Sequence, residues 1–233
     1  MNSLESLVKI VEASGGQVKD NLFVVRPGVK CISATTCLID SQLASLFSLP
    51  EDPAQQIAAL GAKVTYMDLK PKSDQYLPKI VNEFGHTSIL NSIHVGYLLA
   101  GIKGETLLEF ASTNANMSRQ TTSRTRSAVD TLYVAPAQDE DFYKQFIELR
   151  KHYLEGKESE LASKNKDSLE QVNGFNLFTK AMFCTVSNSL QNWIYFINSR
   201  LTQDYEYELV DITKRIRDDL ASRYPFIQFS SPA

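Results

Sequence analysis

Apolar residues recur three and four apart near the start of the chain. Leu4, Leu7, Val8, Ile10 and Val11 fall on one side of a helix over 3–13, which Gly15-Gly16 stop. Residues 22–25 and 29–33 then read as two short strands around the turn Arg26-Pro27-Gly28. A helix is predicted over 39–47, a break between Pro50 and Pro53, and a second helix over 54–66 weakened by Gly61. Residues 70–74 form a loop, and a short helix over 76–84 delivers Gly85-His86. Beyond it two periods compete. Ile89, Ile93, Tyr97 and Ala100 give a helical face, whereas Ile93, Val95, Tyr97 and Leu99 alternate. The β-branched content and the flanking glycines favour a strand over 93–101, followed by a helix from 105 to 110.

In the second half, Phe142, Phe146, Leu149 and Tyr153 mark an amphipathic helix over 139–154. Residues 155–170 are charged and have few anchors, so they read as an exposed helix or hinge. Residues 175–196 are aromatic and carry Lys180 as their single charge, which suits a buried core helix or helix pair with Trp193 in the core. The clearest helix runs over 205–222, with Leu209, Ile212, Ile216 and Leu220 as its stripe and Pro225 beyond its end. These elements predict an α+β chain, a central antiparallel sheet flanked by helices, in one domain over 1–233 with 1–28 as an N-terminal extension.

Composition narrows the chemistry. A hydrophobic content of 43% and a charged content of 22% are ordinary for a globular chain. The formal net charge of −3 provides no general field for polyanions, so nucleic acid would need a local patch. No apolar run reaches the ~18 residues of a membrane span. Met1 to Gly16 carries Glu5 and Glu12 and lacks a signal-peptide pattern. Cys31, Cys37 and Cys184 are odd in number and lack metal-site spacing, which points to a reduced, cytoplasmic setting. His86, His94 and His152 are never paired four apart, against a His-rich metal site. His94 and the cysteines read as structural or surface groups.

One stretch stands out chemically. Ser118-Arg119-Gln120-Thr121-Thr122-Ser123-Arg124-Thr125-Arg126 holds three arginines and five hydroxyls with no acid among them. Guanidinium forks and hydroxyls suit phosphate oxygens, and charge-assisted bonds are the strong ones. The competing reading is a solvated, hydroxyl-rich loop whose arginines pair with scattered surface acids. A nucleic-acid module using Arg119, Arg124 and Arg126 is a third reading. It has no recognisable motif behind it, in a chain that is net acidic.

Three pieces of the chain resemble the flavin-dependent thymidylate synthases, the ThyX family. Ala58-Ala59-Leu60-Gly61-Ala62-Lys63-Val64-Thr65-Tyr66 is similar to the family's early helix, with Lys63 where an arginine is usual. Gly85-His86-Thr87-Ser88-Ile89-Leu90 resembles the His-x-Ser that opens the flavin site, followed by an alternating strand ending Ala100-Gly101-Ile102. Asn198-Ser199-Arg200, then residues 205–212, is similar to the last helix pair, with Glu208-Leu209 in its pattern. The resemblance covers roughly residues 29–228.

The chain also departs from the family. Counted from His86 without gaps, the family's Arg-His-Arg falls on Ala111-Ser112-Thr113, and its charge is gone. With a one-residue insertion, the signature's closing Ser and Arg match Thr122 and Arg124. A longer insertion would bring Arg124-Thr125-Arg126 under the triplet, but the first alignment keeps strand and loop lengths. Asn173 or Gly174 occupies the region of a further family arginine, and Asp204 and Glu206 stand for the family's histidine and glutamine.

What the resemblance implies is reductive methylation of dUMP to dTMP, with reduced FAD as cofactor and methylenetetrahydrofolate and NADPH as co-substrates. Arg200 would bind the pyrimidine base and favour its ionised N3. Arg124, with Thr122 and Ser123, would grip the nucleotide phosphate, with Arg126 either a second phosphate contact or a surface charge, and His86 and Ser88 would contact the flavin, with Asn188 and Ser189 nearby. The family's homotetrameric assembly is implied as well. The lost triplet leaves two alternatives open: altered pyrimidine-nucleotide chemistry on the same fold, or a non-catalytic relative with a binding or structural role.

Overall fold

The computed structural model of the chain describes residues 3–36, 39–66, 69–70, 75–112, 116–120, 132–134, 145, 148, 152, 180–201 and 205–229, with 116–120 as backbone only. It belongs to the α+β class, with helices flanking two small sheets. The first sheet has the order β1 (Gln17–Lys19), β2 (Phe23–Arg26) and β6 (Tyr133–Val134). Its β1–β2 pair is antiparallel with a bulge at Gln17/Val18, and its β2–β6 pair is parallel. The second has the order β3 (Gly28–Ala34), β4 (His94–Ile102), β7 (Met182–Ser189) and β5 (Asn116–Gln120).

The chain divides into two compact units, one of residues 1–30, 98–109 and 117–185, the other of 31–97, 110–116 and 186–233. In the first, α1 (Ser3–Ala13) forms as its spacing predicts and buries Leu7, Val8 and Val11 against Val24, Leu132, Val134 and Phe183. Gly101 makes this closeness possible. At φ +81° it takes a conformation costly for other residues, and a Cβ there would sit 2.8 Å from Val24.

In the second unit the core is aromatic. Trp193 is 1% exposed, meets Tyr97 edge-on at 5.5 Å and donates its indole N–H to Val95 O at 3.0 Å. Phe110 and Phe196 extend the cluster, their ring centroids 4.8 Å apart. Helix α7 (Tyr207–Arg223) covers it with the expected stripe, Leu209, Ile212, Ile216 and Leu220 all buried. Helices α2 (Ser41–Leu46), α3 (Pro53–Tyr66) and α5 (Gly104–Ala111) also stand where the pattern puts them. Lys63, 1% exposed near the end of α3, gives its ammonium to the carbonyls of Phe47, Ser48 and Lys70. It thereby closes the end of α2 as well as its own helix.

Two expectations are corrected. The segment 175–196 is not a helix or helix pair: Met182–Ser189 is the strand β7, and helix α6 (Leu190–Leu201) begins only after it. Cys184, Val186 and Asn188 are buried while Thr185 and Ser187 between them are half-buried, an alternation of only a few residues that the aromatic residues on either side hide in the sequence. The competing reading of the Arg-rich stretch as a loop does not hold for its start, because Ser118, Arg119 and Gln120 belong to β5 at one edge of the sheet. Thr122, Ser123, Arg124 and Arg126 lie outside the described residues. The predicted helix over 139–154 and the charged stretch 155–170 also lie outside, apart from Gln145, Glu148 and His152, which are helical and exposed. Among the described residues no helix is long and apolar enough to cross a membrane.

Candidate functional site

The site grows from the junction of β7 and α6. Ser189 caps α6: its Oγ accepts the N–H of Asn192 at 3.3 Å, the ordinary service of a serine at a helix start. That hydroxyl also donates to Asn91 Oδ1 at 3.1 Å, and Asn91 belongs to a 3₁₀ turn over Thr87–Ser92. Asn188 Oδ1 takes the N–H of Ser189 at 3.0 Å and the Asn192 amide at 2.9 Å. Asn188 and Ser189 are 4% and 5% exposed, so they hold the junction together and act on anything outside through Asn91 and Asn192.

The other end of the 3₁₀ turn is held as well. Gln191 Nε2 lies 2.9 Å from Thr87 Oγ1 and 3.3 Å from Tyr195 Oη, and Thr87 Oγ1 and Tyr195 Oη are themselves 3.3 Å apart. Two clamps, Asn91–Ser189 and Thr87–Gln191, therefore lay the turn along the first half of α6. His86 and Ser88, which flank Thr87, are both exposed on that turn. Tyr195 is 57% exposed, unusual for a ring on a helix whose other aromatic side chains are buried. Hydrogen bonds from Thr87 and Gln191 draw its phenol below the ordinary tyrosine value.

Arg200 sits at the far end of α6, nine residues or roughly 13 Å along the axis from Gln191. Its guanidinium lies 4.8 Å from the ring centre of Tyr205 and 5.4 Å from that of Phe196. Nη1 reaches Tyr205 Oη at 3.1 Å and Ser199 Oγ at 3.2 Å. A flat cation between two rings is oriented and only partly hydrated, a state suited to planar anionic or electron-rich partners. Gln191, Tyr195 and Ser199 recur every four residues, so amide, phenol and hydroxyl form one stripe. Arg200 bonds to the end of that stripe through Ser199.

Of the residues singled out in the sequence, the structure brings His86 and Ser88 to the clamped turn, Asn188 and Ser189 to its support, and Arg200 to the end of the same helix. Gln191, Tyr195, Asn91 and Tyr205 were not foreseen. The four-residue spacing of Gln191, Tyr195 and Ser199 was the one available signal, and it reaches only Gln191 and Tyr195 among these. Among the described residues no group of three His, Cys, Asp or Glu side chains is placed to hold a metal ion.

No protein-family model matches the chain, and no curated protein matches it. Solved structures do match. ThyX from Helicobacter pylori, crystallised with FAD and dUMP, aligns at 15% identity with a TM-score of 0.59, covering 85% of this chain and 95% of that one. A second structure of the same enzyme with FAD and dUMP aligns at 16% identity and a TM-score of 0.59, covering 88% of this chain and 98% of that one. The UMP/dUMP methylase PolB from Streptomyces cacaoi, bound with 5-Br UMP, aligns at 11% identity with a TM-score of 0.58, covering 88% and 93%. At these identities the likeness is one of architecture, and the fold of this chain is the one that ThyX and PolB share.

Proposed function

We propose that the chain binds a pyrimidine nucleotide and FAD and carries out a flavin-dependent methylation at C5 of the uracil ring, dUMP to dTMP. The observation that carries this reading is Arg200, a guanidinium held between Phe196 and Tyr205 at the end of an uncharged polar stripe. A fixed cation beside a uracil favours the ring with negative charge at N3, and that ionisation makes the ring, C5 included, electron-rich enough to act as a nucleophile. The shared fold, whose neighbours are described with FAD and dUMP, supports the choice of ligands.

The residues present fit a flavin ring. Thr87, Gln191 and Tyr195 offer hydroxyl, amide and phenol groups at one surface, and His86 and Ser88 stand beside them. These groups match a ring edge that alternates carbonyls and N–H. Reduced FAD, when bound, would supply hydride to a one-carbon unit from methylenetetrahydrofolate, with NADPH as the outside reductant. The chain's own work is to orient the base through Arg200 and the flavin through the clamped turn. Thr122, Ser123, Arg124 and Arg126 are assigned to the nucleotide phosphate on chemical grounds.

A second reading keeps the site and changes the nucleotide. Ala111 and Ser112, where the family's Arg-His-Arg falls, close α5 as exposed, uncharged residues. PolB is described as acting on UMP as well as dUMP. The test is the absorbance of the purified chain after FAD loading and desalting, followed by anaerobic oxidation of the reduced flavin with dUMP and with UMP in parallel. A flavin band near 450 nm and dUMP-dependent oxidation support the first reading, and a preference for UMP supports the second. A colourless protein that takes up neither nucleotide defeats both.

A further inference from the structure

The helix before His86 is wound in an uncommon way. Tyr76–Pro78 (α4) starts as an α-helical turn and continues as a π-helix over Lys79–Glu83. Such wide turns are rare and gather at functional sites. Val81 and Asn82 on this turn border a cleft of about 330 Å³ whose apolar walls also include Ile194, Ile227 and Phe229. Thr87, Asn198 and Gln228 complete it, and none of its lining residues is charged. The size is at the low end for a small-molecule site, enough for one ring system.

Asn82 ties the chain's last described residues to this turn, where they border the cleft. Its Nδ2 donates to Phe226 O at 2.9 Å, and its Oδ1 accepts the N–H of Gln228 at 3.0 Å. The side-chain amide thus pairs with the tail as a strand neighbour would, and holds Ile227 to Phe229 as a wall. Burial of Tyr224, Phe226 and Ile227 fixes that wall further.

We infer that this cleft binds an uncharged, nucleobase-sized nitrogen heterocycle. A charged head group would lose hydration there without a compensating charge. The amides of Asn198 and Gln228 match the paired donor and acceptor on a base edge, and branched aliphatic and aromatic walls accept its faces. The cleft is lined by Thr87, which bonds to Gln191 and Tyr195 of the polar stripe, so a ring held here lies next to the proposed flavin surface. The inference does not rest on Arg200 or on dUMP.

Equilibrium dialysis of the full chain against adenosine and against uridine tests it, since neither probe carries a phosphate. The expected result is saturable binding that persists with saturating dUMP and in Arg200→Ala. Gln228→Trp, a substitution at an exposed tail position, should weaken it at least tenfold by filling the mouth, and Asn198→Leu should act in the same direction. Circular dichroism on each variant separates loss of the site from loss of the fold, and Gln228→Trp decides if Asn198→Leu unfolds. Absence of saturable binding, unchanged affinity in Gln228→Trp, or displacement by dUMP overturns the inference. Failure of the Arg200 reading shows separately, as intact dUMP binding in Arg200→Ala.

Discussion

Tyr97 Oη donates to Asp219 Oδ2 at 2.8 Å, so a phenol that is 1% exposed is tied to helix α7. Asp219 also receives both Nε and Nη2 of Arg223, at 2.7 and 3.0 Å. Tyr97→Phe removes one bond and should cost about 1 kcal/mol, whereas Asp219→Leu strands the buried hydroxyl and should cost about 1–3 kcal/mol. The exposed Arg223 pair adds little to either figure. Urea unfolding of both variants and of the double mutant measures the coupling. Additive costs in the double mutant would mean that the phenol gains nothing from the carboxylate.

The helices of this fold were legible because their stripes repeat. Leu209, Ile212, Ile216 and Leu220 are spaced for one face, and Pro225 ends the run, so α7 could be placed within two residues at each end. Strand β4 was legible because Val95, Tyr97 and Leu99 alternate among β-branched neighbours and glycines. Strand β7 was not, since its alternation of buried Cys184 and Val186 with half-buried Thr185 and Ser187 is only a few residues long and merges into the aromatic helix that follows. The site divides in the same way. His86 and Ser88 stood out as a local motif. Tyr195 and Gln191 become notable only through Thr87, 104 residues before Gln191 in the chain.

Arg200→Ala should weaken dUMP binding strongly while leaving the fold intact. A charge-assisted contact to the base is worth about 1.5–3 kcal/mol, or roughly 10- to 100-fold in affinity. Arg200→Lys should recover only part of this, because an ammonium cannot lie flat between Phe196 and Tyr205. Calorimetric titration with dUMP provides the measurement, and wild-type affinity in the alanine variant would remove Arg200 from the site.

Tyr195→Phe keeps the exposed ring and deletes the oxygen that Thr87 and Gln191 share. If this surface holds the flavin, FAD retained after desalting should fall about 3- to 10-fold, as expected for one neutral hydrogen bond. The melting temperature should hardly move, since the hydroxyl is at the surface. Gln191→Ala should cost more FAD, because it also frees Thr87 and loosens the 3₁₀ turn. Equal FAD content in all three proteins would place the flavin elsewhere.

Lys63→Met preserves length and burial but withdraws the ammonium from the carbonyls of Phe47, Ser48 and Lys70. Leaving such acceptors unsatisfied should cost on the order of 3 kcal/mol. Hydrogen exchange should then rise first around residues 43–49, the end of α2, where every residue of the helix itself lacks burial. A variant as stable as the parent would show that water replaces the ammonium without loss.

Lys180 gives the fold a dependence on pH of unusual sign. It is bridged to Tyr133, and burial of its ammonium lowers its pKa to about 8 from the ordinary lysine range. Between pH 8 and roughly 10.5 the unfolded chain therefore holds a proton that the folded chain has released. Stability should rise with pH across that window on this account, by about 1–2 kcal/mol after allowing for the side chain's partial exposure. Cys184 opposes it, because burial raises its thiol to about 12, and the buried phenols of Tyr97 and Tyr224 are raised too. For those groups the folded state keeps a proton that the unfolded state loses, so stability falls above pH 9 to 10. The net curve should climb only briefly past pH 8 and then turn down. Lys180→Met should be more stable than the parent at pH 7 and lose that advantage by pH 10, read from urea midpoints at each pH. An advantage that stays constant with pH would show that Lys180 keeps an ordinary ammonium.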